Sequence, residues 1–156
     1  MKRGILFVGL AVIAALALPT SARTKASTGA VMGQQAPVIV MAGAVKWGPV
    51  PGMKGIQYGV LWGDPTKVGS EYAARYKVQN GVKFPPHSHP MWEEVTVLSG
   101  TFMVGLGDKF DASKLTALPA GSYVAIPPQV NHYGQAKGET ILEVHGLGPD
   151  KMIMVK

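Results

Sequence analysis

Three of the four histidines and one glutamate form the strongest chemical pattern in this sequence. His87 and His89 lie two positions apart, Glu93 follows four positions after His89, and His132 lies about forty residues further on. Residues two apart on an extended strand project from the same face, so the imidazoles of His-Ser-His can bind one ion together. Imidazole nitrogens with one carboxylate suit Mn, Fe, Co, Ni, Cu or Zn. The pattern predicts a site for one divalent transition metal, whose identity stays open.

Two adjacent glutamates compete for the carboxylate position. Glu93 shares a strand face with Val95 and Val97, whereas Glu94 lies on the opposite face with Thr96. A buried carboxylate is costly unless it is paired, and a bound dication supplies the pairing. We therefore expect Glu93 to bind the metal and Glu94 to be solvated or salt-bridged on the outer face.

Short strands must position these ligands. The clearest is Glu71–Val78, in which core-type and polar side chains alternate. Ser99-Gly100 separates two strand-like runs and predicts a hairpin, and residues 111–116 suit one short helical turn. About eight to eleven strands with closely spaced turns predict an all-β domain, a small antiparallel sandwich or barrel. The other strand-like runs are 56–62, 93–98, 101–106, 122–126, 132–135 and 140–145.

The first residues have the organisation of a secretory signal peptide. Lys2 and Arg3 precede an apolar run over 4–18, and small residues up to Ala22 suit cleavage there. The run is shorter than the roughly 20 residues of a membrane span, which leaves an uncleaved anchor as the weaker alternative. The sequence predicts a signal peptide over 1–22, a flexible leader over 23–36 and one domain over 37–156. We expect an exported protein, periplasmic or secreted, with no stable membrane anchor after cleavage.

Composition narrows the class of function. Hydrophobic residues make up 47% of the chain and charged residues 15%, which is typical of a globular domain. The net charge of +6 becomes +4 after signal cleavage, with thirteen basic against nine acidic residues. These charges are scattered without a Lys/Arg cluster, so no nucleic-acid partner is expected. The chain has no cysteine, which excludes disulfides, a thiol nucleophile and a lipoprotein anchor.

Two segments resemble the conserved motifs of the cupin superfamily, particularly small single-domain exported cupins of the type-2-like kind. The first motif consists of glycine, His-x-His, glutamate and glycine in the order and at the spacing of the family. The second motif consists of glycine, proline and histidine, also at the family's spacing. Gln129 stands where the family usually has glycine, and Ala136 where it usually has asparagine. The matching residues are Gly81, His87, His89, Glu93 and Gly100 in the first motif, and Gly121, Pro127 and His132 in the second.

The resemblance implies a jelly-roll-like double-stranded β-helix, often homodimeric, that holds one divalent ion inside. It implies that His87, His89, Glu93 and His132 bind the ion. Some cupins have lost their metal, so a metal-free barrel with a ligand pocket is the alternative.

Other residues near the motifs leave more than one interpretation open. His145 ends a strand and is expected either beside the metal or, more simply, in a surface or backbone hydrogen bond. Tyr72 and Tyr76 line the pocket or belong to the ordinary core. Trp92 is a candidate to cover the mouth of the site.

If the protein is an enzyme, its catalysis must depend on the bound metal. The sequence has no Gly-x-Ser-x-Gly segment and no phosphate-binding loop. The first hypothesis is a metal-dependent dioxygenase acting on a small oxygenated organic molecule, with Glu93 as a candidate for proton transfer. The alternatives are an isomerase or lyase that uses the metal as a Lewis acid, and a non-catalytic cupin that binds or senses a small ligand.

Overall fold

Nine antiparallel strands make up most of residues 36–156, the part of the chain that the computed structural model describes. The predicted signal peptide and nearly all of the predicted leader lie outside the described residues. Two short 3-10 turns, Ala42–Ala44 and Ala112–Lys114, accompany the strands, and the second matches the predicted helical turn. The strands are β1 (Gly48–Val50), β2 (Met53–Gly63), β3 (Glu71–Val78), β4 (Lys83–Ser88), β5 (Glu93–Leu106), β6 (Thr116–Pro119), β7 (Tyr123–Ile126), β8 (His132–Leu147) and β9 (Ile153–Met154).

The strands form one curled sheet with two halves that share β5 and β8. In one half the order is β1-β2-β3-β8-β5-β7, where β8 pairs through residues 140–147. In the other half the order is β9-β4-β8-β5-β6, where β8 pairs through residues 132–137. The pair of strands β5 and β8, here called the β5–β8 ribbon, therefore passes from one half to the other. The all-β antiparallel prediction is confirmed, with the curled architecture of a double-stranded β-helix.

The hairpin predicted at Ser99-Gly100 is wrong. The chain does not reverse there: β5 runs without interruption from Glu93 to Leu106 and pairs with β8 along both of its parts. Instead the register with β8 shifts on both sides of Ser99, and Gly100 has a φ of 73°. A side chain at Gly100 would collide with the carbonyl of Glu139 and with Thr140. This segment is a bend in one strand, and glycine fits because it tolerates both the positive φ and the crowding.

The strands predicted separately over 132–135 and 140–145 are one strand. β8 continues through Lys137, Gly138 and Glu139 to Leu147. Gly138 has a φ of 79° and open space around it, and its N–H donates to Asn80 Oδ1 at 2.8 Å. Gly138 marks a bend within the strand, beside the bend of β5.

The core lies inside the curled sheet. Val78, Val97 and Val144 are fully buried, and the Phe84 and Phe102 rings meet edge to face with centroids 5.7 Å apart. On β3, Tyr72, Ala74 and Val78 are buried while the alternate residues are more exposed, as its alternation predicts. Within residues 36–156 no helix is long and apolar enough to cross a membrane.

Candidate metal centre

Three imidazoles meet at one end of the core. His87 and His132 are directly opposite each other on β4 and β8, with ring centroids 4.2 Å apart. His89 follows the end of β4, and its ring centroid lies 4.9 Å from that of His87 and 5.4 Å from that of His132. All three residues are buried, and one possible ligand atom from each lies within 4.8 Å of the others. The structure thus brings the three predicted histidine ligands together.

Backbone carbonyls set the protonation of two of these rings. The Nδ1 of His87 is 2.7 Å from the carbonyl oxygen of Pro85, and the Nδ1 of His132 is 3.0 Å from that of Val130. A carbonyl oxygen only accepts, so Nδ1–H is the donor in both contacts. In the neutral ring the lone pair then belongs to Nε2, which is the arrangement that metal-binding histidines use.

Glu93 supplies a carboxylate to the same point. Its Oε2 lies 3.2 Å from His132 Nε2 and 3.5 Å from His89 Nε2, and its side chain is 15% exposed. Glu94, one position on, is exposed to solvent. The pairing of β5 with β8 places Glu93 opposite Gly146 and Leu106 opposite His132, at opposite ends of the ribbon. A straight strand of this length would span about 43 Å, so the ribbon must bend for Glu93 to reach His132, and Gly100 lies at such a bend.

The electrostatics of the cluster favour a cation. Burial, followed by the neighbouring His132, lowers the pKa of His87 to about 4, so this ring is neutral at pH 7. Burial alone would lower the pKa of His132, but the hydrogen bond with Glu93, the contact with the Val130 carbonyl and the Glu93 charge together outweigh burial and raise that pKa. Burial would raise the pKa of Glu93, but His132 and the other two imidazoles reverse the shift and lower it. Glu93 is therefore an anion surrounded by nitrogen donors.

The residues present fit a first-row transition metal. His89 Nε2 is buried and has no hydrogen-bond partner among the described residues, a costly state for a ring nitrogen unless it has a ligand. Three imidazoles and one carboxylate form a donor set of borderline softness. The assignment of His87, His89, Glu93 and His132 as metal ligands stays a prediction.

The turn before β8 has a residue with positive φ at position 129. Gln129 has a φ of 63°, in the left-handed region where glycine is favoured. Its N–H donates to the carbonyl of His89 at 2.9 Å, and Val130 next to it accepts from the His132 ring. The turn therefore connects the segments that carry two of the three imidazoles.

A small cavity lies against the cluster. Its volume is about 30 Å³, which is enough to hold a water molecule. Tyr76 lies in its wall, whereas Tyr72 is buried in the core and Trp92 is 52% exposed. The apolar part of the wall includes Phe84, Val95, Phe102, Ile126, Leu142 and Val144.

His145 lies away from the cluster. Its side chain is 49% exposed, and its Nε2 is 3.1 Å from Glu143 Oε1 on the outer face of the sheet. Of the two positions that the sequence left open, the structure shows the surface hydrogen bond. Glu143 also accepts from Arg75 Nε at 2.7 Å.

Sequence reasoning missed Asp150. This residue lies in the loop after β8, and its carboxylate is only 9% exposed, with Oδ1 3.7 Å from His89 Nδ1. Burial raises the pKa of Asp150, and the Glu93 charge adds to the effect while His89 opposes it. Burial and then the Asp150 charge raise the pKa values of Tyr72 and Tyr76, so both hydroxyls stay protonated. A single acidic residue after Gly-Pro carries no spacing signal, so only the fold reveals it.

The curled antiparallel sheet and the buried imidazole cluster together define a cupin. Within that superfamily, the chain belongs to the family of the ChrR cupin-like domain, whose sequence model matches residues 35–150. Among curated protein sequences, none matches this chain.

Solved structures with this fold include proteins of different activity. The polyketide cyclase RemF from Streptomyces resistomycificus is 22% identical, with a TM-score of 0.62 over 76% of this chain and 84% of that chain. A candidate acetylacetone dioxygenase from Methylibium petroleiphilum PM1 is 20% identical, with a TM-score of 0.62 over 79% of this chain and 83% of that chain. KdgF from Halomonas sp. is 19% identical, with a TM-score of 0.58 over 74% of this chain and 97% of that chain. At these identities the likeness establishes the fold alone.

Proposed function

We propose that this cupin binds one divalent transition-metal ion and uses it in dioxygenase chemistry on a small oxygenated organic molecule. His87, His89, His132 and Glu93 would hold the ion. The observation that carries the proposal is the convergence of these side chains in a buried site, with a His89 Nε2 that lacks a hydrogen bond among the described residues.

The chain's own residues define what the site contributes. Nδ1 contacts to Pro85 and Val130 keep two imidazoles oriented with Nε2 toward the cluster. Glu93 balances part of the charge of a dication, and it is the residue placed to accept or return a proton at Oε2. The hydrocarbon wall of the cavity excludes bulk water, which strengthens electrostatic interactions inside. Held by His87, His89, His132 and Glu93, the ion would supply a Lewis-acid or redox centre for a small oxygenated molecule.

The fold by itself does not choose the reaction. A cyclase and a candidate dioxygenase share it with this chain at low identity, and activity depends on the site rather than on the fold. An isomerase or lyase that uses the metal as a Lewis acid needs the same ligands but no oxygen. The dioxygenase reaction and the Lewis-acid reaction are distinguished by whether turnover requires dioxygen.

A non-catalytic binding or sensing role is the second candidate, and the cavity favours it. Pockets for organic ligands usually have volumes of about 300–1,000 Å³, whereas the cavity beside the imidazoles has about 30 Å³. An organic substrate must therefore displace side chains of the wall, while a ligand of two or three atoms needs less change.

Metal analysis and oxygen uptake test the proposal. The protein purified from its native compartment is expected to contain close to one transition-metal ion per chain. The metal-loaded protein is then assayed for oxygen consumption with β-diketones, catechols and flavonols, with His132→Ala as the metal-deficient control. Turnover without oxygen would favour the Lewis-acid reaction. A ligand that raises the melting temperature and is recovered unchanged would favour the binding role. A metal content far below one ion per chain would contradict both metal-dependent reactions and favour the metal-free barrel.

We also propose that the mature chain is exported. N-terminal sequencing of protein from fractionated cells is expected to give Arg23 as the first residue, outside the cytoplasm. Cytoplasmic protein that retains Met1 would contradict export.

We propose a homodimer as well. An open groove of about 800 Å³ on the outer face includes Trp62, Trp92 and Leu147, which are 44%, 52% and 39% exposed. Apolar surface of this kind is typical of an interface. Light scattering should give twice the chain mass, and Trp62→Ser should shift the equilibrium toward monomer. A monomeric mass for the wild type at micromolar concentration would contradict the dimer.

A further inference from the structure

A second buried carboxylate lies beside the imidazole cluster, next to His89. Asp150 Oδ1 faces the Nδ1 of His89 at 3.7 Å, and its Oδ2 is 3.4 Å from the hydroxyl of Tyr76. The Asp150 side chain is 9% exposed. Because a buried carboxylate is costly without partners, its position beside one particular ring nitrogen calls for an explanation.

Main-chain hydrogen bonds hold Asp150 in place. The N–H of Asp150 donates to the carbonyl of Pro65 at 2.7 Å, and the N–H of Gly148 donates to that of Ser70 at 2.8 Å. In the opposite direction, the N–H of Gly69 donates to the carbonyl of Gly148 at 3.0 Å. The loop after β8 is thus fastened to the loop between β2 and β3, so the carboxylate does not depend on His89 for its location.

His89 differs from the other two histidines in what lies behind its ring. The Nδ1 atoms of His87 and His132 each contact a carbonyl two residues earlier in the chain. The Nδ1 of His89 has no such contact among the described residues, and the nearest acidic oxygen comes from Asp150, sixty-one positions later in the sequence. A carboxylate behind a histidine fixes the ring tautomer and makes the far nitrogen a stronger donor than a carbonyl does.

We propose that Asp150 is a positioning residue for metal binding. It directs the His89 ring, with Nδ1–H toward Oδ1 and Nε2 toward the ion, and its charge stabilises the bound ion. This inference rests on the proposed metal site.

The charges of the cluster agree with this role. A dication bound by three imidazoles and the Glu93 carboxylate would keep one uncompensated positive charge in a buried site. Asp150 compensates that charge, and an ion with its compensating carboxylates costs less to bury than a net charge. Among the described residues, the titratable groups around Asp150 are His89, Glu93, Tyr58, Tyr72 and Tyr76.

The full-length protein loaded with Co²⁺ tests the proposal. Asp150→Asn keeps the shape of the side chain, removes its charge and is expected to weaken Co²⁺ binding about 10- to 100-fold in chelator competition. The visible absorption bands of bound Co²⁺ should shift, because a histidine ligand changes its donor strength. Glu139→Gln removes a charge from an exposed position and should change neither quantity.

Rescue separates positioning from a structural role. Asp150→Glu restores the charge and is expected to recover part of the affinity that Asp150→Asn loses. An Asp150→Asn protein that binds Co²⁺ within about twofold of the wild type, with the same absorption bands, would overturn the proposal. Should Asp150→Asn fail to fold, Tyr76→Phe decides: removing the hydroxyl at Oδ2 should weaken Co²⁺ binding about two- to fivefold, and unchanged affinity would overturn the proposal.

The two proposals fail in different ways. If the wild type itself binds no Co²⁺, the metal site is wrong and the role of Asp150 falls with it. If the wild type binds Co²⁺ and Asp150→Asn binds it equally well, only the role of Asp150 is wrong.

Discussion

The inner and outer faces of the β5–β8 ribbon carry the same two residue types in different surroundings. On the inner face, Glu93 and His132 meet at 3.2 Å in a buried site that two more imidazoles share. On the outer face, Glu94 and His145 are paired in register but exposed. The comparison shows that residue type alone does not make a site. Convergence and burial do, because a charge in water is screened and a buried one must find a partner.

The largest expected effect compares the two histidines of β8. His132→Ala should weaken Co²⁺ binding by more than about 100-fold, since even residues behind a ligand contribute up to that range. His145→Ala should leave the affinity unchanged, because its ring lies on the outer face. Co²⁺ titration of both variants in competition with a chelator measures the difference. Comparable losses would mean that the two faces do not differ in the way the structure indicates.

The bend that creates the inner site is tested by Gly100→Ala. A methyl group there meets a φ of 73° and the backbone around Glu139 and Thr140, so the free energy of unfolding should fall by about 2–3 kcal/mol. Gly43→Ala is the control, because a Cβ at Gly43 has no neighbour within 4 Å. Urea denaturation of both metal-free variants gives the values. Equal stability of the two would show that the ribbon bends without the glycine.

The adjacent glutamates give a finer comparison. Glu93→Gln removes the buried charge and should weaken metal binding about tenfold or more, or roughly 1.4 kcal/mol. Glu94→Gln changes an exposed side chain and should stay within twofold of the wild type. Calorimetric titration with Zn²⁺ measures the affinities of the two variants. The reverse ranking would show that the strand faces are assigned wrongly.

The smallest effect concerns the outer face alone. Burial would raise the pKa of Glu143, but hydrogen bonds from Arg75 and then His145 lower it below its ordinary value. A depressed carboxyl pKa contributes stability above the unfolded-state value of about 4.3, and this contribution is lost as the pH falls through the folded-state pKa. Glu143→Gln should therefore cost about 0.5–1 kcal/mol at pH 7.

Denaturation at several pH values measures this cost. The difference in the free energy of unfolding between Glu143→Gln and the wild type should shrink as the pH falls below about 4. Glu139→Gln should have the stability of the wild type both at pH 7 and in acid. A difference that grows in acid would contradict the role assigned to the Arg75–Glu143 pair.

Particular residues show how far the sequence could be interpreted. The alternation in Glu71–Val78 predicted a strand and its faces, because strand side chains alternate whatever the strand packs against. Ser99-Gly100 misled the prediction because a glycine with positive φ is common to hairpins and to bends within a strand. Asp150 could not be predicted, since its importance comes from a loop that main-chain hydrogen bonds carry to His89.

The size of the cavity also could not be predicted from the sequence. Cupin-like motifs implied a pocket beside the metal ligands, but its volume of about 30 Å³ depends on how Phe84, Phe102 and their neighbours pack. Packing of this kind depends on the whole core, because small shifts of a side chain open or close space of this size.

By itself the sequence determined which side chains share a face. Its period of two placed Glu93 with Val95 and Val97, and its His-x-His spacing placed two imidazoles on one segment. Only the tertiary structure decided that Glu93 meets His132, because they belong to opposite ends of the β5–β8 ribbon. The physical reason is that alternation depends on local backbone geometry, whereas the curl of a sheet depends on pairing and packing along its whole length.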